Sequence, residues 1–262
     1  MRVLIAAPAS TDTVVTGRAS YSRPGGPALY AGGAAALLGH EVYAYGGWGH
    51  ENLCTIRAER AMGVERFSLP SPGPGAVLML DYTMPGRRVA IKSPPPRVCT
   101  GLLRAVRILR PDLVIVSSIH GDICPQVLPL VRHHATTVLD VQGYHRAGMK
   151  SLIPGGAADA IHATGREAQG IPGGAAPVIV ETSGYGPVRM IKAEGETLLL
   201  DKPPGPRLED PTGAGDVFTL LLALGLARGM SPEEAALSAA GLVHAILGEV
   251  HRRVEHAGCP GV

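Results

Sequence analysis

Short, continuous apolar runs recur along the chain, separated by longer stretches rich in alanine and leucine. "RVLIAA" (2–7), "EVYAYGG" (41–47), "DLVIVSS" (112–118), "TTVLDVQG" (136–143), "DAIHAT" (159–164) and "APVIVET" (176–182) have the length and pattern of strands buried on both faces. Between them the spacing predicts helices over 26–39, 51–63, 98–110, 123–134 and 166–170, with Gly63 just past the end of the second. Two more are expected near 215–228 and 232–247, the latter with Ser231 as N-cap and Pro232 at its first position. This alternation predicts an α/β fold: a doubly wound, mostly parallel sheet with helices on both faces. One stretch breaks the rhythm. "AVLMLDYTMPGRRVAIKS" (76–93) reads as a hairpin turning at Pro85-Gly86. It fits a flap over a ligand and an added sheet edge equally well.

Composition narrows the function classes. The chain has 262 residues, 45% of them hydrophobic, which suits one domain over 1–262 carrying the 76–93 hairpin as an insertion. A net charge of +2 and 4% aromatic content speak against a nucleic-acid partner. The longest apolar run, "LLLALGLA" (220–227), is far short of a membrane span, and the N-terminal run is too short for a signal-peptide core, so a soluble cytoplasmic protein is expected. Cys54, Cys99, Cys124 and Cys259 are scattered without a C-x-x-C pair, which makes zinc or disulfide frameworks poor readings. Asn52 is the only asparagine, and Gln126, Gln142 and Gln169 are the only glutamines, a depletion typical of thermophilic sources.

The candidate chemistry lies in "EDPTGAGDVFTLLLALGLARG" (209–229). A Gly213-Ala214-Gly215 turn before a long apolar helix exposes backbone N–H groups, and the helix N-terminus adds partial positive charge. Together they make an anion site suited to a phosphoryl group. Asp216 is an acid where an anion would bind, so it reads as a base for an attacking hydroxyl and not as a phosphate ligand. Held ionised by the helix N-terminus it is a weak base, which suffices when the hydroxyl proton leaves late in a loose transition state. Taken alone, G-A-G-D reads more readily as an ordinary capping turn. Its place late in an α/β chain, at a loop-to-helix junction, favours the chemical reading.

"DPTGAGDVF" (210–218) resembles the C-terminal signature of the PfkB, or ribokinase-like, family of carbohydrate and nucleoside kinases. "GGPALYAGGAAALLGHEVYAYGGWGHE" (25–51) is similar to that family's N-terminal Gly-Gly motif, and 76–93 falls where the family carries a β lid over the sugar. The resemblance spans nearly the whole chain, in order. It implies a ribokinase-like fold with a small β lid, Asp216 as catalytic base, and Gly213, Ala214 and Gly215 as anion hole. It implies acceptor binding by Asp12, whose carboxylate suits a vicinal diol, with Gly25 and Gly26 letting the backbone approach. Glu167 matches the glutamate of an Asn-x-x-Glu motif that organises Mg²⁺ through water. Thr182, Gly184 and Thr212 fall at nucleotide-binding positions, with ATP as donor. Lid edges pair between subunits in this family, which implies a homodimer.

Two positions depart from the pattern. Tyr30 stands where many members have asparagine, pointing to an acceptor other than a ribose-type sugar. Thr164 stands where the Asn of Asn-x-x-Glu is expected. "GGPALYAG", with Pro27 and Tyr30, is closer to the subgroup that includes myo-inositol kinases. Arg87, Arg88 and Lys92 on the hairpin could grip a substrate phosphate or simply be solvated charges. The expected function is therefore an ATP- and Mg²⁺-dependent kinase acting on a small polyol or sugar, myo-inositol-like first. A nucleoside kinase of the same family, or a non-catalytic binder on this fold, is the alternative. A Rossmann dehydrogenase lacks its G-x-G-x-x-G after the first strand, and no Walker G-x-x-x-x-G-K-[ST] occurs.

Overall fold

A computed structural model describes residues 1–17, 19–83, 88–202, 205 and 210–256. The hairpin turn at Pro85-Gly86, Arg87, Cys259 and most of the Pro-rich 203–209 connector lie outside the described residues. In chain order the elements are β1 (Arg2–Ala6), β2 (Ser10–Val15), β3 (Ser20–Gly25), α1 (Gly33–Leu37), β4 (Glu41–Tyr45), α2 (Leu53–Ala61) and β5 (Val64–Arg66). Then follow β6 (Ala76–Asp81), β7 (Arg88–Ser93), α3 (Thr100–Leu109), β8 (Leu113–Ser117), α4 (Leu128–Arg132), β9 (Thr136–Asp140) and α5 (Gln142–Arg146). The chain continues through β10 (Ala160–Thr164), β11 (Val178–Thr182), β12 (Val188–Lys192), β13 (Thr197–Leu200), α6 (Ala214–Ala227) and α7 (Pro232–His256).

Among the described residues the main sheet has nine strands, ordered β13-β12-β11-β10-β9-β8-β1-β4-β5. From β5 to β11 every neighbouring pair is parallel, whereas β12 and β13 close one edge as an antiparallel pair. Successive residues of β1 point to opposite faces. Val3 and Ile5 join a core with α6 and α7, while Leu4 and Ala6 join one with α3 and α4. Apolar residues on both faces explain why these strands read as unbroken hydrophobic runs. The chain leaves β1 toward β4 on one side and later returns to β8 on the other. That reversal makes the carboxyl ends of β1 and β8 a topological switch point, where doubly wound sheets open a ligand crevice.

The hairpin expected over 76–93 is present as β6 and β7, and it belongs to a larger unit. A second sheet, ordered β3-β2-β6-β7, combines it with two strands from 10–25, with β2 parallel to β6. Val14, Leu78 and Leu80 form one apolar face of this small sheet and pack with Ile119 from the loop after β8. The helix expected over 26–39 begins as a π-helical turn, Ala28–Gly32, before α1. The 123–134 prediction holds a 3₁₀ turn at Pro125–Val127 and then α4, with Pro129 inside. The segment expected as a helix over 166–170 is a 3₁₀ turn, Gly165–Ala168. At the C-terminus α7 runs on to His256 as one helix, entered through a Ser231–Glu234 capping box.

The cysteines correct the sequence expectation. Cys99 and Cys124, 25 residues apart, are joined as a disulfide, and the flanking Val98 and Ile123 form a parallel bridge. Spacing along the chain carries no trace of this, because two loops at the carboxyl end of the sheet bring the pair together. No helix among the described residues is long and apolar enough to cross a membrane.

Candidate active site

A cleft of about 380 Å³ opens at the switch point, between the main sheet and the small one. Its contributors come from the carboxyl ends of successive strands: Ser117 from β8, Asp140 from β9, Thr164 from β10 and Thr182 from β11. The other wall is the N-terminus of α6. Gly213, its N-cap, has φ +86, a left-handed conformation natural to glycine. The apolar run after Asp216 drives this helix into the core, where nine consecutive residues from Val217 to Gly225 are buried. The polar first turn stays at the cleft, so Gly213, Ala214, Gly215 and Asp216 all line it.

One half of the cleft lies under the small sheet. Asp12 on β2 is buried, with Oδ1 accepting a 2.8 Å hydrogen bond from Ser10 Oγ. Gly25 faces it from β3, and a Cβ there would sit 2.3 Å from the Asp12 carboxyl carbon. Gly25 is thus required for the carboxylate to lie where it does. Gly26, Tyr30 and Ser118 also line this half, and Leu78, Leu80, Val89 and Ile119 give it an apolar roof. Tyr30 has a further role: its ring lies directly beneath Gly213, where an added Cβ would meet Cγ at 2.4 Å. Burial pushes the Tyr30 phenol well above its ordinary pKa, with Asp12, Asp210 and Asp216 acting in the same direction.

The other half continues past the Gly213–Asp216 turn. Thr182 and Gly184 line it, and so do Tyr185, Val188, Val243 and His244. His162 braces this region from below, with Nε2 3.0 Å from Thr182 Oγ1 and Nδ1 2.8 Å from Thr219 Oγ1. Lys202 and Arg146 bring positive charge to the cleft.

Glu167 does not line the cleft. Its carboxylate accepts a 2.8 Å bond from the Thr164 N–H in a capping box, and burial, with Asp140 nearby, raises its pKa. Asp140 is 6% exposed, and its Oδ1 accepts from the Gln142 N–H at 2.8 Å. Among the described residues no cluster of three His, Cys, Asp or Glu side chains could cage a metal. Mg²⁺ seldom needs such a cage; it is bound by one or two carboxylates, water and substrate phosphates. Asp140 and Glu167, hard oxygen donors within electrostatic reach of each other, fit that mode.

Thr212 is held on three sides. Its Oγ1 receives Arg23 Nη2 at 2.8 Å and lies 3.0 Å from Tyr82 Oη, and its carbonyl lies 2.9 Å from His251 Nε2. Arg23 Nη1 also donates to Asp210 Oδ2, and Asp210 Oδ1 accepts from the Thr212 N–H at 2.9 Å. The structure thus brings together the residues singled out in sequence on 12–30, 182–184 and 212–216, and leaves Glu167 just behind. Sequence reasoning missed Asp140, Arg146, His162 and Lys202. For Asp140 a signal existed, since it ends a predicted strand of a doubly wound sheet, where ligand-facing residues collect.

No family model matches the chain, and no curated protein matches it by sequence. Solved structures do. A pyrophosphate-dependent kinase in the ribokinase family, complexed with a pyrophosphate analogue and myo-inositol, superposes with a TM-score of 0.76 over 95% of each chain at 20% identity. The adenosine kinase from Sinorhizobium meliloti gives 0.72 over 98% of this chain and 99% of its own at 16% identity. Ribokinase from Thermotoga maritima gives 0.69 over 97% and 99% at 15% identity. The fold is ribokinase-like, with the small sheet in the place of that fold's lid.

Proposed function

We propose that the chain is a PfkB-type kinase that moves the γ-phosphoryl group of ATP to a hydroxyl of a small polyol or sugar. The observation that carries this is the turn from Gly213 to Asp216, where a helix N-terminus and a carboxylate line one cleft at the switch point. The Ala214 N–H already donates to the Pro211 carbonyl at 3.0 Å, so an anion there would meet the other amides of the turn. Asp12 stands in the acceptor half of the same cleft, where a carboxylate can take two hydroxyl hydrogens.

In this reading the acceptor hydroxyl gives its proton to a carboxylate oxygen of Asp216 as its oxygen bonds to the γ-phosphorus. The bond from that phosphorus to the bridging oxygen breaks, and ADP leaves with the electron pair. Amides of the 213–216 turn other than that of Ala214 hold the charge spread over the equatorial oxygens. Lys202 and Arg146 offset charge on the donor phosphates. Mg²⁺, held through Asp140 and Glu167, would neutralise further charge on those phosphates when bound. The small sheet covers the acceptor and keeps water from competing.

Two details of the cleft support finer choices. Beyond the anion turn it extends over Val188, Ala240 and Val243 to Tyr185 and His244, an apolar floor that a nucleoside would cover and pyrophosphate would not. That favours ATP, although several structural neighbours are pyrophosphate-dependent kinases. The apolar roof of Leu78, Leu80 and Val89 suits the C–H face of a ring such as myo-inositol. It serves a nucleoside too, which keeps that acceptor as the second reading.

The test is product release from Mg-ATP, and separately from pyrophosphate, across myo-inositol, ribose, fructose, adenosine and cytidine. Asp216→Asn should lower transfer by about 10²- to 10⁴-fold, the usual worth of a positioned base, while ATP binding persists. Near-full activity in that variant would remove Asp216 from its role.

A further inference from the structure

A part-buried polar junction outside the reacting groups is centred on Arg23. It lies on β3 of the small sheet, in register with Asp12 on β2, so both side chains leave the same face. Its guanidinium reaches across to the loop that ends in the anion turn, donating to Asp210 Oδ2 and, at 2.8 Å, to Thr212 Oγ1. Tyr82, just past the end of β6, meets the same Thr212 hydroxyl at 3.0 Å. Two strands of the small sheet thus converge on one hydroxyl, in the residue immediately before Gly213.

Burial works against the Arg23 charge, but Tyr30, Asp210 and Asp12 hold its pKa above the ordinary value. Its Nε is buried without a hydrogen-bond partner among the described residues. An unsatisfied buried donor is costly, which is a poor arrangement if stability were the only purpose. The guanidinium therefore lies between the acid that faces the acceptor and the loop that presents the anion-binding amides.

Resting on the kinase reading, we propose that Arg23, with Tyr82, is a positioning residue that makes anion-hole geometry depend on the position of the acceptor lid. When the small sheet is seated, its two donors fix Thr212, and the Gly213–Asp216 turn is held where it can stabilise transfer. When the sheet lifts, both contacts to Thr212 go, and the turn is no longer held. Donor cleavage is thereby tied to acceptor binding, which protects ATP from water.

The experiment compares wild type, Arg23→Lys, Tyr82→Phe and the double variant. It measures donor cleavage from Mg-ATP with and without the best acceptor among myo-inositol, ribose and adenosine, alongside the acceptor KM. Lysine keeps the charge but cannot span Asp210 and Thr212 as a fork. The expected result for Arg23→Lys is a fall in kcat of about 10- to 100-fold, the worth of a charge-assisted hydrogen bond. Its acceptor KM should stay within about threefold, and acceptor stimulation of cleavage should drop by at least about tenfold. Tyr82→Phe should show the same pattern more weakly, about two- to tenfold. A merely structural role would lower cleavage with and without acceptor by one factor, and an unchanged stimulation ratio would overturn the inference while the kinase reading stands. No transfer by the wild type to any acceptor would overturn both.

Discussion

Replacing Gly213 with alanine should damage the protein in a way that can be separated into two parts. Gly213 has φ +86, so an alanine there adopts the left-handed region at a cost of about 1–2 kcal/mol. Its Cβ would also lie 2.4–2.9 Å from Cγ, Cδ1 and Cβ of Tyr30, a ring only 3% exposed that the backbone loop cannot easily displace. Overpacking of that kind adds about 1–3 kcal/mol, so the expected loss of unfolding free energy is about 2–5 kcal/mol. Gly229 provides the control. Its φ is +81 and nothing lies within 4 Å of an added Cβ, so Gly229→Ala should cost only the conformational part, about 1–2 kcal/mol. Urea denaturation of the two variants reads the difference. In a Tyr30→Ala background, already weakened by its own cavity, Gly213→Ala should cost less than in the intact protein, because the overlaps with Cγ and Cδ1 are gone and only the 2.9 Å approach to Cβ is left. That gives a coupling of up to about 1–3 kcal/mol between positions 213 and 30. If Gly213→Ala proved no worse than Gly229→Ala in the intact protein, the Tyr30 ring would not be what limits space at Gly213.

Two other outcomes follow from partners described above. Burial alone would raise the Asp210 pKa, but hydrogen bonds from Arg23 and Thr212 outweigh it and hold the carboxyl at about 2, below its ordinary 3.8. A pKa depressed by folding contributes stability above the unfolded value and loses it as pH falls through the folded one. Unfolding midpoints should therefore drop between about pH 4 and pH 2, and Asp210→Asn should flatten that slope; an unchanged slope would remove Asp210 as its source. The Cys99–Cys124 link closes 25 residues, for which loop entropy implies about 3.5 kcal/mol of stabilisation, lost on reduction or in Cys99→Ser. Peptide mapping without reductant should recover the linked fragments, and finding both cysteines as thiols would contradict the pairing.

What was legible in the sequence was mostly local. The Gly213-Ala214-Gly215-Asp216 turn, the buried strands and the 76–93 hairpin each depend on neighbours a few residues away, and each is present as an element. The other half of the small sheet was not legible. "STDTVV" and "SYSRPG" mix small polar and β-branched residues without an apolar run, and they become strands because β6 pairs with β2 from far along the chain. For the same reason Arg23 gave no signal: its partners Asp210 and Thr212 are 187 and 189 residues away. β12 and β13 alternate more and less exposed positions, β12 being fixed by pairing with β11 and the edge strand β13 by pairing with β12. Tyr30 was placed at the acceptor by its position in "GGPALYAG". It does line the cleft, but its contact with Gly213 could not be read from sequence.

The span between Arg23 and Thr212 also bears on biosynthesis. One wall of the cleft is made within the first 30 residues, whereas its complement is a loop beyond residue 209 that is further held by His251 on α7. A ribosome adding about 5–20 residues per second completes the β1–β8 portion of the sheet many seconds before that loop emerges. During this interval Arg23 on β3 and Tyr82 just past β6 lack the partners they will meet at Asp210 and Thr212. The nascent chain can therefore hold neither the Gly213–Asp216 turn nor the covered cleft. α7, translated after that loop, also contributes to the cleft.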